Sequence, residues 1–154
     1  MNIVRAKADD AAAVTDIAFA AKRYWGYPEK WIESWRHALT VQPEFIASHE
    51  TYAAILDGCT VGFYALCRKD DRLDLQHLWV LPDAMGRGVG RSLFLHCLER
   101  ARALGCRELE IESDPNAEGF YQHMGAQRVG VNIKKLDGQR RELPVLIYKI
   151  HPVA

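Results

Sequence analysis

The chain is short of charge of either sign in excess. Its 20 lysines and arginines balance 20 aspartates and glutamates, a formal net charge of zero, which leaves no surplus to hold nucleic acid or an anionic membrane surface. Long apolar runs are missing too. None approaches the ~20 residues of a membrane span, and the start "MNIVRAKADD" lacks the basic beginning and apolar stretch of a secretory signal. A cytoplasmic protein is therefore expected, with no nucleic-acid or membrane partner. Cysteine is sparse: Cys59, Cys67, Cys97 and Cys106 form no C-x-x-C pair and sit in apolar runs, so buried free thiols are expected rather than zinc or disulfides, and no metal site. Internal repeats, low-complexity tracts and linkers are absent, and 154 residues with 49% apolar side chains suit one domain over 1–154.

What is present reads as alternating strands and helices. "NIVRA" is a strand, and Asp9 or Asp10 caps a helix with Val14, Ile17, Ala18 and Ala21 at the 3.6 period. "YWGYPEKW" breaks it. Pro28 opens a second helix with Trp31, Ile32, Trp35 and Leu39 on one stripe. "TYAAILD" and "CTVGFYALC" form a hairpin turning at Asp57-Gly58, and "RLDLQHLWVL" is a third strand stopped by Pro82. A helix from Gly88 to Ala103 carries apolar Val89, Leu93, Leu95 and Leu98, with Leu104 beyond it, and ends at Gly105. "CRELEIES" is a strand, "PNAEGFYQHMG" a short helix closed by Gly125, and "AQRVGVNIKKL" and "RRELPVLIYKI" a hairpin around Asp137-Gly138. The expected order is β-α-α-β-β-β-α-β-α-β-β, an α/β fold with a mixed central sheet and helices on both faces.

Between the third strand and its following helix lies "MGRGVGR", with Gly86, Gly88 and Gly90 alternating and Arg87 and Arg91 beside them. A helix N-terminus leaves its first N–H groups unpaired and carries roughly half a positive charge, so it attracts a phosphate. Glycines let phosphate oxygens approach that backbone, and the arginines add countercharge. One glycine would suffice for a turn, so a diphosphate is the natural ligand. The P-loop pattern G-x-x-x-x-G-K followed by Ser or Thr is absent. The dinucleotide fingerprint fails at its third glycine, where Arg91 stands, although Glu108, Glu110 and Glu112 lie where a ribose-binding acid would be.

These residues resemble the GCN5-related N-acetyltransferases. That family's signature is Gln or Arg, two residues, Gly, one residue, then Gly or Ala. It falls here on Met85, Gly86, Arg87, Gly88, Val89 and Gly90, with Met85 in place of the usual first residue. "LWVLP" looks like the family's fourth strand, and "NAEGFYQHMGA" like its fourth helix, with Ala117, Phe120, Tyr121 and Gly125 in register and Ala126 where Phe is common. The resemblance runs from Leu75 to Gly125.

It implies acetyl-coenzyme A as co-substrate and a small-molecule or peptide amine as acceptor. Backbone amides of the signature would take the diphosphate, and Leu78 and Val80 would pair with the pantetheine arm. Asp114 stands where the family often has a cofactor-contacting Asn, with Asn116 two residues late. Tyr121 fits the proton donor to the departing thiolate, since a thiol of pKa ~8.5 and a phenol of ~10 are close enough for transfer. For the base, strand alternation places Asp74, Gln76, Leu78 and Val80 on one face and His77 on the other. Asp74, a water held by Gln76, and His77 all stay open. Tyr24, Trp25 and Tyr27 in the helix break are expected to line the acceptor side or to pack. A non-catalytic acyl-coenzyme A sensor of the same fold is the alternative. The last hairpin, with its apolar strand "LPVLIYKI", could extend a sheet across a two-fold axis into a homodimer.

Overall fold

The computed structural model describes residues 1–152. Seven strands form one mixed sheet in the order β1-β2-β3-β4-β5-β7-β6. They are β1 (Asn2–Arg5), β2 (Glu50–Leu56), β3 (Cys59–Lys69), β4 (Arg72–Val80), β5 (Glu108–Glu112), β6 (Gln127–Leu136) and β7 (Gln139–Lys149). The helices are α1 (Ala11–Tyr24), α2 (Glu29–Ser34), α3 (Arg36–Leu39), α4 (Pro43–Ser48), α5 (Val89–Ala103) and α6 (Glu118–His123). Among the described residues no helix is long and apolar enough to cross a membrane. The chain clusters into two compact units, Met1–Leu66 with Gln76–Cys97, and Cys67–Leu75 with Leu98 onward.

In the first unit β1, β2 and β3 pair antiparallel, with Val4 opposite Ala53 and Ala53 opposite Phe63. The β2–β3 turn has Asp57 at φ 51° and Gly58 at φ 78°. Both central residues are left-handed, the twist that a two-residue hairpin needs. Val14, Ile17, Ala18 and Ala21 of α1 are buried as their spacing requires. Val14, Ile17 and Ala18 pack with Ile32, Leu39, Val41, Ile46, Ala53 and Phe63 in one core. The single second helix expected after Pro28 is instead α2 and α3, because at Trp35 (φ −93°, ψ 6°) the backbone leaves helical geometry. Its N–H is shared between the carbonyls of Trp31 and Ile32, both at 3.1 Å. Helix α4 is an addition to the expected order: Pro43 sits in its first turn and Ile46 is fully buried.

In the second unit β4 runs parallel to β5, Arg72 opposite Glu108 and Asp74 opposite Glu110. Strand β7 pairs with β5 on one side and β6 on the other. The apolar strand "LPVLIYKI" is therefore interior, and the free edge falls on β6. Two further expectations shift. The buried stripe of α5 runs through Val89, Leu93, Phe94, Cys97, Leu98 and Ala101, leaving Leu95 44% exposed. Cys97 and Cys106 are buried thiols, whereas Cys59 is exposed and Cys67 half-buried.

Candidate active site

In the first unit, β4 ends at Val80 and a short 3-10 turn over Pro82–Ala84 leads to Met85 in extended conformation. Gly86 (φ 78°) and Gly88 (φ 80°) follow in left-handed conformations that side chains rarely adopt. Helix α5 starts at Val89, and the Ser92 N–H to Gly88 carbonyl bond (3.0 Å) is its first turn. The amides of Val89, Gly90 and Arg91 precede that turn and have no acceptor within the helix. A Cβ placed on Gly86 or Gly88 would meet no atom within 4 Å. The room a side chain would take is open beside the helix's positive end, which fits a diphosphate. Arg87 and Arg91 are exposed there, while Leu78, Val80 and Met85 are half-buried and Val89 is buried.

The glycine that seats this helix is one that sequence reasoning passed over. A Cβ on Gly62 of β3 would lie 2.9 Å from the Trp79 carbonyl, 3.0 Å from Leu93 Cδ1 and 3.2 Å from Val89 Cγ1. Gly62 thus lets the first turns of α5 lie directly against β3. Its neighbour Phe63 points the other way, into the core of α1 to α4. An isolated glycine in the β-branched run "CTVGFYALC" was the available signal.

Alternation along β4 separates two candidate bases. Gln76 is exposed and His77 is 7% exposed. The Trp79 indole N–H donates to His77 Nδ1 at 3.0 Å, and the rings of Phe63 and Phe45 stand 5.6 and 6.0 Å away. Burial pulls the imidazole down to about 4 from its ordinary 6.5. A depressed folded pKa means that protonation favours the unfolded chain. The stability tied to neutral His77 is present above about 6.5 and is lost as pH falls toward 4. Between pH 7 and pH 5 the loss should be about 2 kcal/mol. Urea unfolding at the two pH values checks this, and a His77→Gln variant should show a shallower slope; an equal slope would mean another group carries the effect.

The three aromatics of the α1–α2 break part company. Tyr24 and Trp25 are 55% and 38% exposed and meet edge to face at 5.0 Å. Tyr27 instead stacks on Trp31 (6.0 Å) and stands edge-on to Trp35 (5.1 Å). Lys22, which sequence reading did not single out, places its ammonium 4.3 Å from the Trp35 ring, 5.0 Å from Tyr27 and 5.9 Å from Trp79. Each contact is attractive through the ring's negative face. Together they tie the helix break to β4.

In the second unit, Asp74 is clasped by Lys69 Nζ at 2.8 Å and Arg72 Nε at 3.4 Å, and Arg72 also reaches Glu110 at 3.5 Å. Asp114 Oδ1 accepts from the Asn116 amide N–H (2.8 Å) and from its side-chain Nδ2 (2.9 Å). The two residues expected to contact cofactor therefore brace one another at the 3-10 turn leading into α6. Tyr121 on α6 is 7% exposed, with Phe120 edge to face at 5.2 Å.

Comparison with known proteins supplies the family. A model of the acetyltransferase (GNAT) family matches residues 13–126. Streptothricin acetyltransferase of Streptomyces lavendulae is 30% identical over 112 residues, covering 69% of this chain and 59% of that protein. The chain thus spans well under two thirds of that curated relative's length. Among solved structures, a GCN5-related N-acetyltransferase from Rhodopseudomonas palustris superposes with a TM-score of 0.79 at 25% identity, over 96% of this chain and 94% of the other. The PaiA N-acetyltransferase of Thermoplasma acidophilum, in complex with coenzyme A, gives 0.76 at 19% identity over 96% and 98%.

Proposed function

Because the chain belongs to the acetyltransferase (GNAT) family, we propose that residues 1–154 work as one N-acetyltransferase domain, moving the acetyl group of acetyl-coenzyme A directly to a primary amine of a small molecule or peptide. The observation that carries this reading is the pair of left-handed glycines, Gly86 and Gly88, opening α5 with free space beside them. In the proposal the amides of Gly88, Val89 and Gly90 hold the diphosphate, Arg87 and Arg91 add countercharge, and the β4 backbone at Leu78 and Val80 takes the pantetheine arm. The cytoplasm, where thiols such as exposed Cys59 stay reduced, is the proposed compartment.

Acetyl transfer needs a neutral amine and a proton for the leaving thiolate. A lysine-like amine of pKa ~10.4 costs about 4.6 kcal/mol to neutralise at pH 7, an α-amine of ~7.8 only about 1. His77 is buried with Nδ1 already accepting from Trp79. Asp74 is held between two cations. Exposed Gln76 remains, and a water on its amide would carry the amine's proton to solvent. Such an arrangement lacks a strong base, so it favours acceptors whose amine is already of low pKa. Tyr121 is the proposed donor to the thiolate.

Gly90 gives the cleaner test of the cradle. It is the second residue of α5 and is not among the positive-φ glycines, so a side chain there adds bulk without backbone strain. Gly90→Val should weaken acetyl-coenzyme A by more than tenfold, about 1.4 kcal/mol, by calorimetric titration. Unchanged affinity in the folded variant would place the diphosphate elsewhere. Thiol release across an amine panel then separates enzyme from sensor: tight cofactor binding with no turnover on any amine would favour the non-catalytic module.

A further inference from the structure

Strand β6 ends the sheet, paired to β7 on one side only. An open edge offers a row of N–H and C=O groups to any extended chain, and proteins usually blunt or cover it. This edge is apolar. Val129, Val131 and Ile133, at alternate positions, are 63%, 42% and 46% exposed. The register shifts between Arg128 and Gly130, so Val129 sits in a bulge while Val131 and Ile133 share a face in the regular stretch. The outward turn of that face is fixed from behind. On the opposite face Asn132 and Lys134 both bind Glu112, at 2.6 and 3.0 Å.

The charge beside this edge is predominantly basic. Lys134 lies directly opposite Arg141, and Lys135 opposite Arg140. Lys134 is offset by Glu112, so Lys135 is the lysine that faces a like charge across the strands. Glu142 reaches Arg140 at 3.2 Å, an exposed pair of the kind that contributes little. Basic residues flanking an apolar strand edge suit a partner that brings acid.

We propose that β6 is a docking edge for an extended acidic peptide segment of a protein partner. The segment adds an eighth strand along Val131–Leu136. Val131, Ile133 and Lys135 share one face, with Arg140 opposite Lys135, so on that face the segment brings two apolar side chains followed by a carboxylate. A second copy of this chain is the poorer occupant. The homodimer expected through this hairpin would bring the same lysine-rich stretch, Lys134 and Lys135, from both copies rather than a run of acid.

The probe is a capped eight-residue peptide with two valines and a glutamate at successive alternate positions, so that all three share one face, and threonines elsewhere, read by fluorescence anisotropy and by amide exchange along β6. Binding on the order of 10–100 µM is expected at low salt, weakened at least tenfold in 0.5 M NaCl, with new protection on the outward amides of Val131–Leu136. Lys135→Glu is the informative variant. It replaces a like pair across from Arg140 with an opposite one, so the hairpin should be no less stable by thermal unfolding, yet the peptide should bind at least fivefold more weakly. The proposal fails if the same peptide with alternate amides N-methylated binds equally, if the peptide with lysine in place of glutamate binds equally, or if nothing binds at 1 mM. It also fails if the free chain sediments as a dimer with β6 amides already protected, since the edge would then belong to a second copy.

Discussion

Tyr121→Phe should lower kcat at least ~100-fold while leaving coenzyme A affinity nearly unchanged, because the substitution removes only a hydroxyl from a ring that stays in place. The ring is 7% exposed and packs edge to face on Phe120. Its loss would disturb α6, whereas loss of the oxygen leaves its apolar contacts intact. As the thioester C–S bond breaks, negative charge gathers on sulfur. A phenol of pKa ~10 can give its proton to a thiolate whose conjugate thiol has pKa ~8.5 as that charge forms, and general acids of this kind typically contribute about 10²- to 10⁴-fold. A water that delivers the proton instead would soften the loss. Turnover and cofactor binding must be measured on one preparation. Near wild-type turnover with a good acceptor removes Tyr121 from the mechanism, and a parallel loss of binding makes it a packing residue. The pH profile adds a further check: a Tyr donor gives a basic limb in kcat that the Phe variant lacks.

How far the sequence announces this protein depends on whether the signal is local. Turns at Asp57-Gly58 and Asp137-Gly138 are legible because positive φ at both residues is a demand that Asp and Gly meet within two positions. The glycine-rich entry to α5 is legible for the same reason. Helix α4 is not, since six residues give too little periodicity to stand out, although Pro43 followed by Glu44 is a reasonable helix opening. Trp35 shows the opposite failure. Its i, i+4 spacing with Trp31 continues a helical stripe, yet the two indoles meet at 6.2 Å across a break in the helix. What sequence cannot show is pairing at long range. Nothing near Lys22 foretells three rings drawn from the following loop, from the α2–α3 junction and from β4. Nor does the apolar run "LPVLIYKI" reveal that its burial comes from pairing on both sides, with β6 left as the edge. His77 and Gln76 fall between these cases. Alternation separates their faces, and only the tertiary packing of Phe45 and Phe63 decides that the histidine's face is the dry one.

Gly62→Val should destabilise the fold by about 3 kcal/mol, the upper part of the range for overpacking a filled site. Backbone strain is not the reason, for Gly62 is not among the positive-φ glycines. The space is occupied. The nearest obstacle, at 2.9 Å, is the Trp79 carbonyl, a backbone atom of the adjoining strand that cannot rotate away, and the next are Leu93 Cδ1 at 3.0 Å and Val89 Cγ1 at 3.2 Å. Leu93 is fully buried and Val89 nearly so, so neither has a free rotamer to retreat into. The helix must therefore lift from the sheet at its first turn, the turn whose amides are proposed to hold the diphosphate. Two readouts should move together: a lower urea midpoint with unchanged m, and acetyl-coenzyme A affinity weakened by at least tenfold in the fraction that remains folded. Gly62→Ala should show the same pair at smaller amplitude, because it keeps the clash with the carbonyl and drops the branched methyls. A destabilised Gly62→Val that still binds cofactor at full affinity would separate helix seating from ligand binding. The glycine would then serve the core alone.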